Sequence, residues 1–293
     1  MVYFRRAVLA SCLVAAITLG LRVLVTSKWQ HYLLSLRYDP ILNAKRNLLR
    51  ALVSNFLPIN TILVPQGAEY KAVCRGLSGI TGSMPTVVGI PVGMKPLLKY
   101  LQQGQFLTPK SRVLIMGLCG SLSDRYTVGD LVLYQDCIYH GKQQECDRTF
   151  TAQLHSLLPT PYSPLNLVKS LTSDRVISSA AEKRRLGETL AADVVDMEGF
   201  TALEFCNAAG VSVAILRVVS DDCQHNIPDL TSAINSDGSL NPFPLAMAML
   251  RQPLAAIRLI QGSLAALKVL EEVTNLLFSG SSQNTVQISS EHS

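Results

Sequence analysis

The chain has 293 residues, of which 48% are hydrophobic and 16% are charged. An average soluble protein has about 25% charged residues and a disordered one has more, so this composition excludes an intrinsically disordered protein. The net charge of +5 comes from residues 1–60, which hold eight Lys and Arg and one Asp, whereas residues 61–293 hold eighteen Lys and Arg and twenty Asp and Glu. We expect no nucleic-acid partner, because this larger part has no excess of positive charge to attract a phosphate backbone.

The chain begins with an apolar segment, Ala7–Val25, that is interrupted only by Ser11, Thr18, Gly20 and Arg22. A helix that crosses a bilayer needs about 20 apolar residues, so residues 7–25 are a candidate membrane anchor. A cleaved signal peptide and a mis-assigned start codon are the alternative interpretations.

A second N-terminal segment, Ile41–Leu57, has the pattern of a basic amphipathic helix, with Lys45, Arg46 and Arg50 away from the apolar face. Such a helix either lies on an anionic membrane surface or docks on the main domain. We therefore interpret residues 1–60 as an N-terminal extension that contains a candidate anchor and this helix.

From Thr61 onward, short β-branched runs alternate with helical stretches. The predicted strands are Thr61–Pro65, Thr86–Pro91, Arg112–Met116, Asp130–Tyr134, Asp193–Asp196 and Val211–Ser220. The predicted helices are Ala68–Gly76, Lys95–Gln103, Ala180–Leu190, Glu198–Ala208 and Phe243–Phe278, the last broken near Pro253. This alternation predicts one αβα domain over residues 61–280, with a ligand site at the carboxyl ends of mostly parallel strands.

The remaining stretches are predicted to be irregular: loops at Ser163–Ser173 and Asn226–Pro244, and a disordered polar tail over residues 281–293. The seven cysteines contain no C-x-x-C pair and the five histidines form no metal-binding spacing. We therefore expect reduced thiols in a cytoplasmic catalytic domain, with no metal and no other cofactor.

Three motifs carry the chemistry of this domain. The first is the glycine stretch Gly117–Leu122, where Gly117, Cys119 and Gly120 follow a predicted strand and are interpreted as a turn that lets a ligand approach the backbone. The second is Asp196-Met197-Glu198, in which Glu198 lies at the start of a helix and can accept hydrogen bonds from a sugar diol.

The third motif is Arg217-Val218-Val219-Ser220-Asp221, in which a strand delivers Ser220 and Asp221 to the same sheet edge. A partly desolvated carboxyl group there can act as a general acid. Each motif alone is also compatible with an ordinary turn, helix start or strand end.

Together and in this order, the motifs resemble those of the nucleoside phosphorylase and nucleosidase superfamily, over Thr61–Thr274. The resemblance implies a three-layer αβα fold with a twisted mixed central sheet, and a homodimer or larger homo-oligomer. It also implies that Asp221 protonates the purine, that Ser220 positions Asp221, that Arg217 holds their loop, and that Met197 and Glu198 bind the ribose.

Hydrolysis and phosphorolysis differ in the nucleophile. Glu69 lies just past the first strand, where hydrolytic members of this family place the glutamate that activates water. Phosphorolytic members resembling the hexameric class carry Arg and Ser at the positions of Ile115 and Leu118, and neither residue here can bind an anion. Water is therefore the favoured nucleophile, with phosphate as the alternative.

Within the superfamily, the chain looks most like the hopanoid-associated nucleoside phosphorylases, through stretches such as Thr172–Ile177, Glu182-Lys183 and Ser236–Gly238. That resemblance implies a 5′-modified adenosine, an adenosylhopane-like lipid, from which adenine is released. Val176 stands where methylthioadenosine nucleosidases have the aromatic residue that stacks on the base. A methylthioadenosine or adenosylhomocysteine nucleosidase, and a nucleoside-binding module without turnover, are the alternatives.

Overall fold

The computed structural model describes residues 58–279, apart from residues 83, 105–107, 109 and 159–164. The candidate anchor, the basic amphipathic helix and the polar tail lie outside the described residues.

The described chain forms a mixed sheet with helices on both faces, as predicted. Its strands are β1 Thr61–Pro65, β2 Thr86–Ile90, β3 Arg112–Ser121, β4 Leu131–Tyr139, β5 Lys142–Glu145, β6 Asn166–Thr172, β7 Val194–Asp196 and β8 Ser212–Asp221. Its α-helices are α1 Ala68–Leu77, α2 Met94–Gln103, α3 Arg148–Leu157, α4 Ala180–Leu190, α5 Gly199–Ala208, α6 Pro242–Arg251 and α7 Pro253–Ser279.

The strands are hydrogen-bonded in the order β2-β1-β3-β7-β6-β4-β5, and β8 pairs with both β3 and β4. Five strands, β3, β7, β6, β4 and β8, thereby form a closed ring of paired neighbours. The β3–β8 pair is parallel and runs from Arg112 opposite Ser212 to Gly120 opposite Asp221, so the ends of both strands reach the same edge of the sheet.

Two apolar cores fill the two faces of the sheet, because alternate residues of each buried strand point to opposite sides. Val113 and Ile115 of β3 pack with residues of α2 and α5, whereas Leu114 and Met116 pack with residues of α1, α3 and α7. This arrangement confirms the predicted three-layer αβα fold.

The glycine stretch differs from the prediction. Instead of turning after Met116, β3 continues through Gly117, Cys119 and Gly120 to Ser121, paired with β8 and, at its end, with β7. The prediction of a turn at these residues was therefore wrong, whereas their predicted place beside the base stays a prediction. Glycines permit a turn, but between two neighbouring strands they remain extended, and the missing side chains serve another purpose.

Three further elements were not predicted. The strand β6 lies within Ser163–Ser173, which was interpreted as a loop because Ser, Pro and Asn cluster at its start. The helix α3 has Phe150, Leu154 and Leu157 at helical spacing, a signal that the sequence analysis did not use. The polar strand β5 has no apolar alternation, and its structure depends on pairing with β4, which a local pattern does not reveal.

Candidate active site

A cleft of about 180 Å³ opens at the carboxyl ends of β1, β3, β7 and β8. Among the residues that line it are Glu69, Leu118, Cys119, Gly120, Val176, Met197, Glu198, Ser220 and Asp221. These include all the predicted site residues except Gly117 and Arg217. The strands thus bring Glu69 and Asp221, which are 152 positions apart in sequence, to one edge of the sheet.

The two glycines of β3 make room for the charged side chains of this cleft. A Cβ atom at Gly117 would overlap Arg217 Nη1 and Glu69 Oε2, and one at Gly120 would lie 2.8 Å from Asp221 Oδ2. The φ of Gly117 is +151°, which also favours glycine. Both glycines are therefore needed for close approach of side chains rather than for a turn.

Arg217 is fully buried behind the cleft and faces three carboxyl groups. Its Nη1 lies 3.9 Å from Glu69 Oε2, and its Nη2 lies 3.6 Å from Asp196 Oδ2 and 3.5 Å from Glu198 Oε2. Burial lowers the pKa of Arg217, but the carboxylates of Asp196, Glu198 and Glu69 raise it more. Arg217 therefore stays charged and ties the three acids together, whereas the sequence analysis expected it to hold the loop of Ser220 and Asp221.

Glu198 is fixed at both of its oxygens. Its Oε1 accepts a hydrogen bond from the backbone N–H of Gly93 at 2.9 Å, and its Oε2 faces Arg217. Burial raises the pKa of Glu198, which Arg217 partly counteracts. The neighbouring acid, Asp196, accepts from Thr172 Oγ1 at 2.9 Å and from the backbone of Gly199 at 3.2 Å, and so holds the start of α5 in place.

Glu69 combines an anchored position with an altered acidity. Its Oε2 accepts from the backbone N–H of Leu118 at 2.9 Å, and its side chain is 22% exposed. Burial raises the pKa of Glu69 to about 7, against the lowering effect of Arg217 and with a smaller raising effect of Glu198. A carboxyl group with this pKa can take up and release protons near neutral pH, as a general base requires.

Asp221 has a different set of partners at the end of β8. Its Oδ1 accepts from Ser220 Oγ at 2.8 Å, and its Oδ2 accepts from Lys183 Nζ. The Lys183 side chain is 1% exposed and also donates to the backbone carbonyl of Asp222 at 3.0 Å. The hydrogen bond from Ser220 agrees with the predicted positioning of Asp221.

Sequence analysis missed two members of this site. Asp196 was read as part of the Asp-Met-Glu motif without a contact of its own, although its place at the end of a strand was a usable signal. Lys183 was noted only within a Glu-Lys pair on a helix, where a lysine is ordinarily solvent-exposed. Nothing local in the sequence indicates that it is buried against a carboxylate 38 residues away.

The thiol of Cys119 lines the cleft but is 4% exposed, and burial raises its pKa well above the usual range. It is therefore a protonated wall residue and not a nucleophile. Within the described part of the chain, no group of three His, Cys, Asp or Glu side chains is arranged to hold a metal ion.

The sequence profile described as "Phosphorylase superfamily" matches residues 64–237, which include Glu69, Glu198 and Asp221. The chain belongs to the phosphorylase superfamily. No curated protein sequence matches it. The superfamily and the enzyme class predicted from the sequence, cleavage of N-glycosyl bonds, are thereby confirmed.

Solved structures agree on the fold of this superfamily member. A methylthioadenosine/adenosylhomocysteine nucleosidase of Helicobacter pylori is similar with a TM-score of 0.52 and 16% identity, over 75% of this chain and 99% of that one. The futalosine hydrolase of the same species gives a TM-score of 0.52 and 16% identity, over 74% and 98%. A putative methylthioadenosine/adenosylhomocysteine nucleosidase of Francisella philomiragia gives a TM-score of 0.52 and 17% identity, over 74% and 97%.

Proposed function

We propose that this phosphorylase superfamily member hydrolyses the N-glycosidic bond of a 5′-modified adenosine and releases adenine. One observation carries the proposal. Glu69, Glu198 and Asp221 line the same cleft, and each has a different environment. One carboxyl group has its pKa near neutrality, one is fixed beside Arg217, and one is bonded to Ser220 and Lys183.

Breaking an N-glycosidic bond develops positive charge on the sugar and leaves an electron pair on the base. A carboxylate held near the sugar hydroxyls stabilises the charge, and a proton donor beside the purine accepts the departing electrons as a new N–H bond. We assign the first role to Glu198, with Met197 beside it, and the second to Asp221 at purine N7, with Ser220 as its positioning residue. Arg217 acts through the carboxylates that it holds.

Water is the proposed nucleophile, with Glu69 taking its proton. The pKa of about 7 supports this role, because a substantial fraction of Glu69 is ionised at neutral pH. Phosphate would need a cationic or hydroxyl-bearing cradle, and Ile115 is fully buried in β3 while Leu118 is apolar. Two guanidinium groups are near: that of Arg217, behind the cleft, faces three carboxylates, and that of Arg175, in the cleft wall, is paired with Glu182 at 2.6 Å.

The 5′ substituent is proposed to be a lipid of the adenosylhopane kind. The cleft wall is rich in apolar side chains, among them Val92, Val176, Ile177, Met197 and Ile227, and it lacks an aromatic residue among those that line it. Apolar walls favour an apolar substituent. We further propose residues 61–280 as the catalytic domain, residues 1–60 as an extension that anchors it on the cytoplasmic face of a membrane, and a homo-oligomer as its assembly.

The test is adenine release from an adenosylated triterpenoid by the purified full chain, with and without phosphate. We expect release without phosphate. Release that requires phosphate would overturn the assignment of water to Glu69, and no release at all, with tight nucleoside binding, would favour a binding module.

A small 5′-thio nucleoside is the second candidate substrate, favoured by the small volume of the cleft and by the nucleosidase folds that resemble it. Methylthioadenosine is therefore assayed beside the lipid. Turnover of methylthioadenosine that is faster than turnover of the lipid would replace the lipid substrate with this one.

A further inference from the structure

The helices α6 and α7 expose an unusual amount of apolar surface. Although its sequence is PFPLAMAMLR, α6 contains no buried residue. The exposed apolar side chains of the two helices are 37–74% exposed, and we call them the α6–α7 surface: Phe243, Met247, Leu250, Leu254, Ile257, Ile260 and Leu264. A soluble monomer rarely leaves this many large apolar side chains of two successive helices uncovered.

The exposed apolar side chains of α7 lie on a different side of the helix from those that pack in the core. The spacing of Leu254, Ile257, Ile260 and Leu264 places them on one side of α7, while Ala255 and other residues at different positions form its buried side. Of the helices described, α7 alone is long and apolar enough to cross a membrane. Its C-terminal half is packed into the domain through Leu270, Val273 and Phe278, so α7 could lie along a bilayer but not cross it.

The charge of this segment favours an anionic partner. From Gly238 to Leu270 the sequence contains no Asp or Glu. Its basic residues Arg251 and Arg258 are exposed, whereas Lys268 is paired with Glu272 at 3.9 Å. An apolar helix face with flanking basic residues and no acids is the pattern of a helix that lies in a lipid headgroup layer.

We propose that the α6–α7 surface docks on an anionic lipid bilayer. A second copy of this chain is a poorer occupant, because neither surface offers a carboxylate to pair with Arg251 and Arg258 of the other. The N-terminal extension is also a poorer one, because residues 1–60 hold eight Lys and Arg and one Asp and would place like charges beside Arg251 and Arg258. A bilayer can cover the α6–α7 surface and the apolar residues 7–25 at the same time. The proposal does not depend on whether the substrate is a lipid.

The surface is coupled closely to the cleft. At Gly262, on the inner side of α7, a Cβ atom would overlap the carbonyl oxygen of Ser220, so α7 rests directly on the end of β8. At Gly238, just before α6, a Cβ atom would overlap the carbonyl oxygen of Val92 in the cleft wall. Docking would therefore bring the bilayer to helices that touch the rim of the site.

The test uses tryptophan fluorescence in the full chain. Trp29, the only tryptophan, is replaced by Phe, and Phe243→Trp then reports on the surface. Vesicles contain phosphatidylcholine with a third of phosphatidylglycerol, with or without bromine on the acyl chains. We expect a blue shift on adding vesicles, quenching by the brominated lipid, and weaker binding when phosphatidylglycerol is left out.

Two further variants make the result specific. Leu167→Trp, at a half-exposed position at the start of β6 on the opposite end of the strands from the cleft, should not be quenched. Leu254→Glu with Ile257→Glu, added to the Phe243→Trp chain, should reduce the quenching. Because quenching is local, an anchor elsewhere in the chain cannot produce it at position 243.

The other outcomes overturn the proposal. A blue-shifted emission that depends on protein concentration and not on vesicles would identify a second copy. A blue shift independent of both would identify the N-terminal extension. Emission that stays at the wavelength of water-exposed tryptophan and is not quenched would show that bilayers do not bind this surface.

A different observation, the buried pair of Lys183 and Asp221, carries a second inference, which rests on the proposed function. Asp221 is contacted by Lys183 from α4 and by the hydroxyl of Ser220, and the thiol of Cys119 faces it from β3. Asp222, next in the chain, is paired with His225. The Lys183 Nζ therefore lies within hydrogen-bond distance of the carboxyl group that touches the purine, in the position from which a proton can be passed along.

We infer that Lys183 is the source of the proton that Asp221 passes to the purine. As the glycosidic electron pair moves to the base, a proton moves from Lys183 Nζ to the Asp221 carboxylate and from that carboxyl group to N7. Lys183 is left as a neutral amine and regains a proton from solvent, which receives the one that Glu69 took from the attacking water. Lys183 is thus a positioning and proton-supplying residue, and Asp221 is the group that touches substrate.

The test is the pH dependence of kcat in Lys183→Met and Lys183→Arg. Without the ammonium, Asp221 must itself be protonated from solvent, so Lys183→Met should lose about 10²-fold at about pH 8 and less at about pH 6. Lys183→Arg keeps the positive charge but cannot release its proton, so it should lose kcat at both pH values. A merely structural lysine would give a loss in Lys183→Met that is uniform with pH, and a nearly normal rate in Lys183→Arg.

The failures can be told apart. If the unchanged enzyme releases no adenine from any nucleoside, the proposed function fails. If it does, and Lys183→Met keeps the same pH profile, only the role of Lys183 fails. Circular dichroism checks that both variants are folded, and Lys183→Arg carries the comparison if Lys183→Met is not.

Discussion

Two charged clusters lie a few residues apart along β3, and they are built on opposite principles. Near Gly117, one buried guanidinium, Arg217, faces the three carboxyl groups of Glu69, Asp196 and Glu198. Near Gly120, one ammonium, Lys183, faces the single carboxylate of Asp221. The first cluster has an excess of acid and the second is balanced.

This difference matches the electron flow of glycosidic cleavage. An excess of carboxylate stabilises the positive charge that develops on the sugar. A carboxylate paired with a proton-bearing ammonium can instead protonate the purine, which receives the electrons. A site that bound a nucleoside without turnover would gain nothing from this asymmetry, since buried acids with raised pKa values are costly to the fold.

The largest expected effect is at the balanced cluster. Asp221→Asn keeps the shape of the side chain and removes the proton relay, so kcat should fall about 10²–10⁴-fold while nucleoside binding remains. The measurements are adenine release and equilibrium binding of substrate. Asp229→Asn, at an exposed loop carboxylate, is the control and should leave both unchanged. An Asp221→Asn enzyme of normal rate would reject the assignment.

The acid-rich cluster should respond in stability. Arg217→Met leaves the buried carboxyl groups of Asp196 and Glu198, and the partly exposed one of Glu69, without their cation, and the free energy of unfolding should fall by about 3–5 kcal/mol at neutral pH. Urea unfolding measures this, and part of the loss should return at acid pH as the carboxylates take up protons.

The matched control is Arg125→Met. Arg125 pairs with Asp193, but its side chain is 67% exposed, so its loss should cost less than about 1 kcal/mol. Equal costs for the two substitutions would mean that Arg217 does not hold the cluster together.

Substitution of Glu69 should change both the rate of hydrolysis and the dependence of stability on pH. Its pKa is raised to about 7 in the folded protein, so the folded state favours the protonated form, and stability is lost as pH rises from about 4.5 to about 7. Glu69→Gln cannot ionise and should be more stable than the unchanged protein at about pH 8, by about 1–3 kcal/mol, while losing hydrolysis.

The measurement is urea unfolding at several pH values. Glu271→Gln, at a carboxylate 38% exposed beside Arg75, is the control for replacing a carboxylate by an amide and should cost less than about 1 kcal/mol. If Glu69→Gln follows the same pH dependence as the unchanged chain, Glu69 does not titrate near neutrality.

The smallest expected effect tests the contact between α7 and the balanced cluster. In Gly262→Ala the new methyl group overlaps the Ser220 carbonyl, so α7 must shift, and we expect a destabilisation of about 1–3 kcal/mol with a modest loss of kcat. Gln261→Ala, one residue earlier and exposed, should have little effect. A more stable Gly262→Ala protein, as helix propensity alone predicts, would show that the two elements are not in close contact.

The sequence predicted the layered fold from local patterns, and eight of the ten predicted site residues line the cleft, several of them assigned through the family resemblance. Apolar runs marked β1, β2 and β8 within a residue or so, and acidic residues at strand ends marked Glu198 and Asp221. It failed where the outcome depends on distant partners. The glycines of β3 stay extended because β8 and β7 pair with them, and β5 is a strand only because β4 lies beside it.

The same limit applied to the site. That Arg217 faces three acids, or that Lys183 is buried against Asp221, follows from which strands and helices meet in space. Residue type and spacing do not encode those encounters. The roles of the cleft residues remain predictions that the substitutions above decide.

The closed ring of five strands has a consequence for how the protein opens. Arg217 lies in β8, whose backbone is hydrogen-bonded on one side to β3 and on the other to β4. Its amide, with that of Val218, should be among the last in the molecule to exchange with deuterium, because a strand inside a ring is released only when the ring opens. Amides of α6, which has no buried residue, should exchange early. The strands that carry the charged residues of the cleft then unfold together as one cooperative unit. Partial unfolding can loosen the helices around the cleft while these strands remain paired.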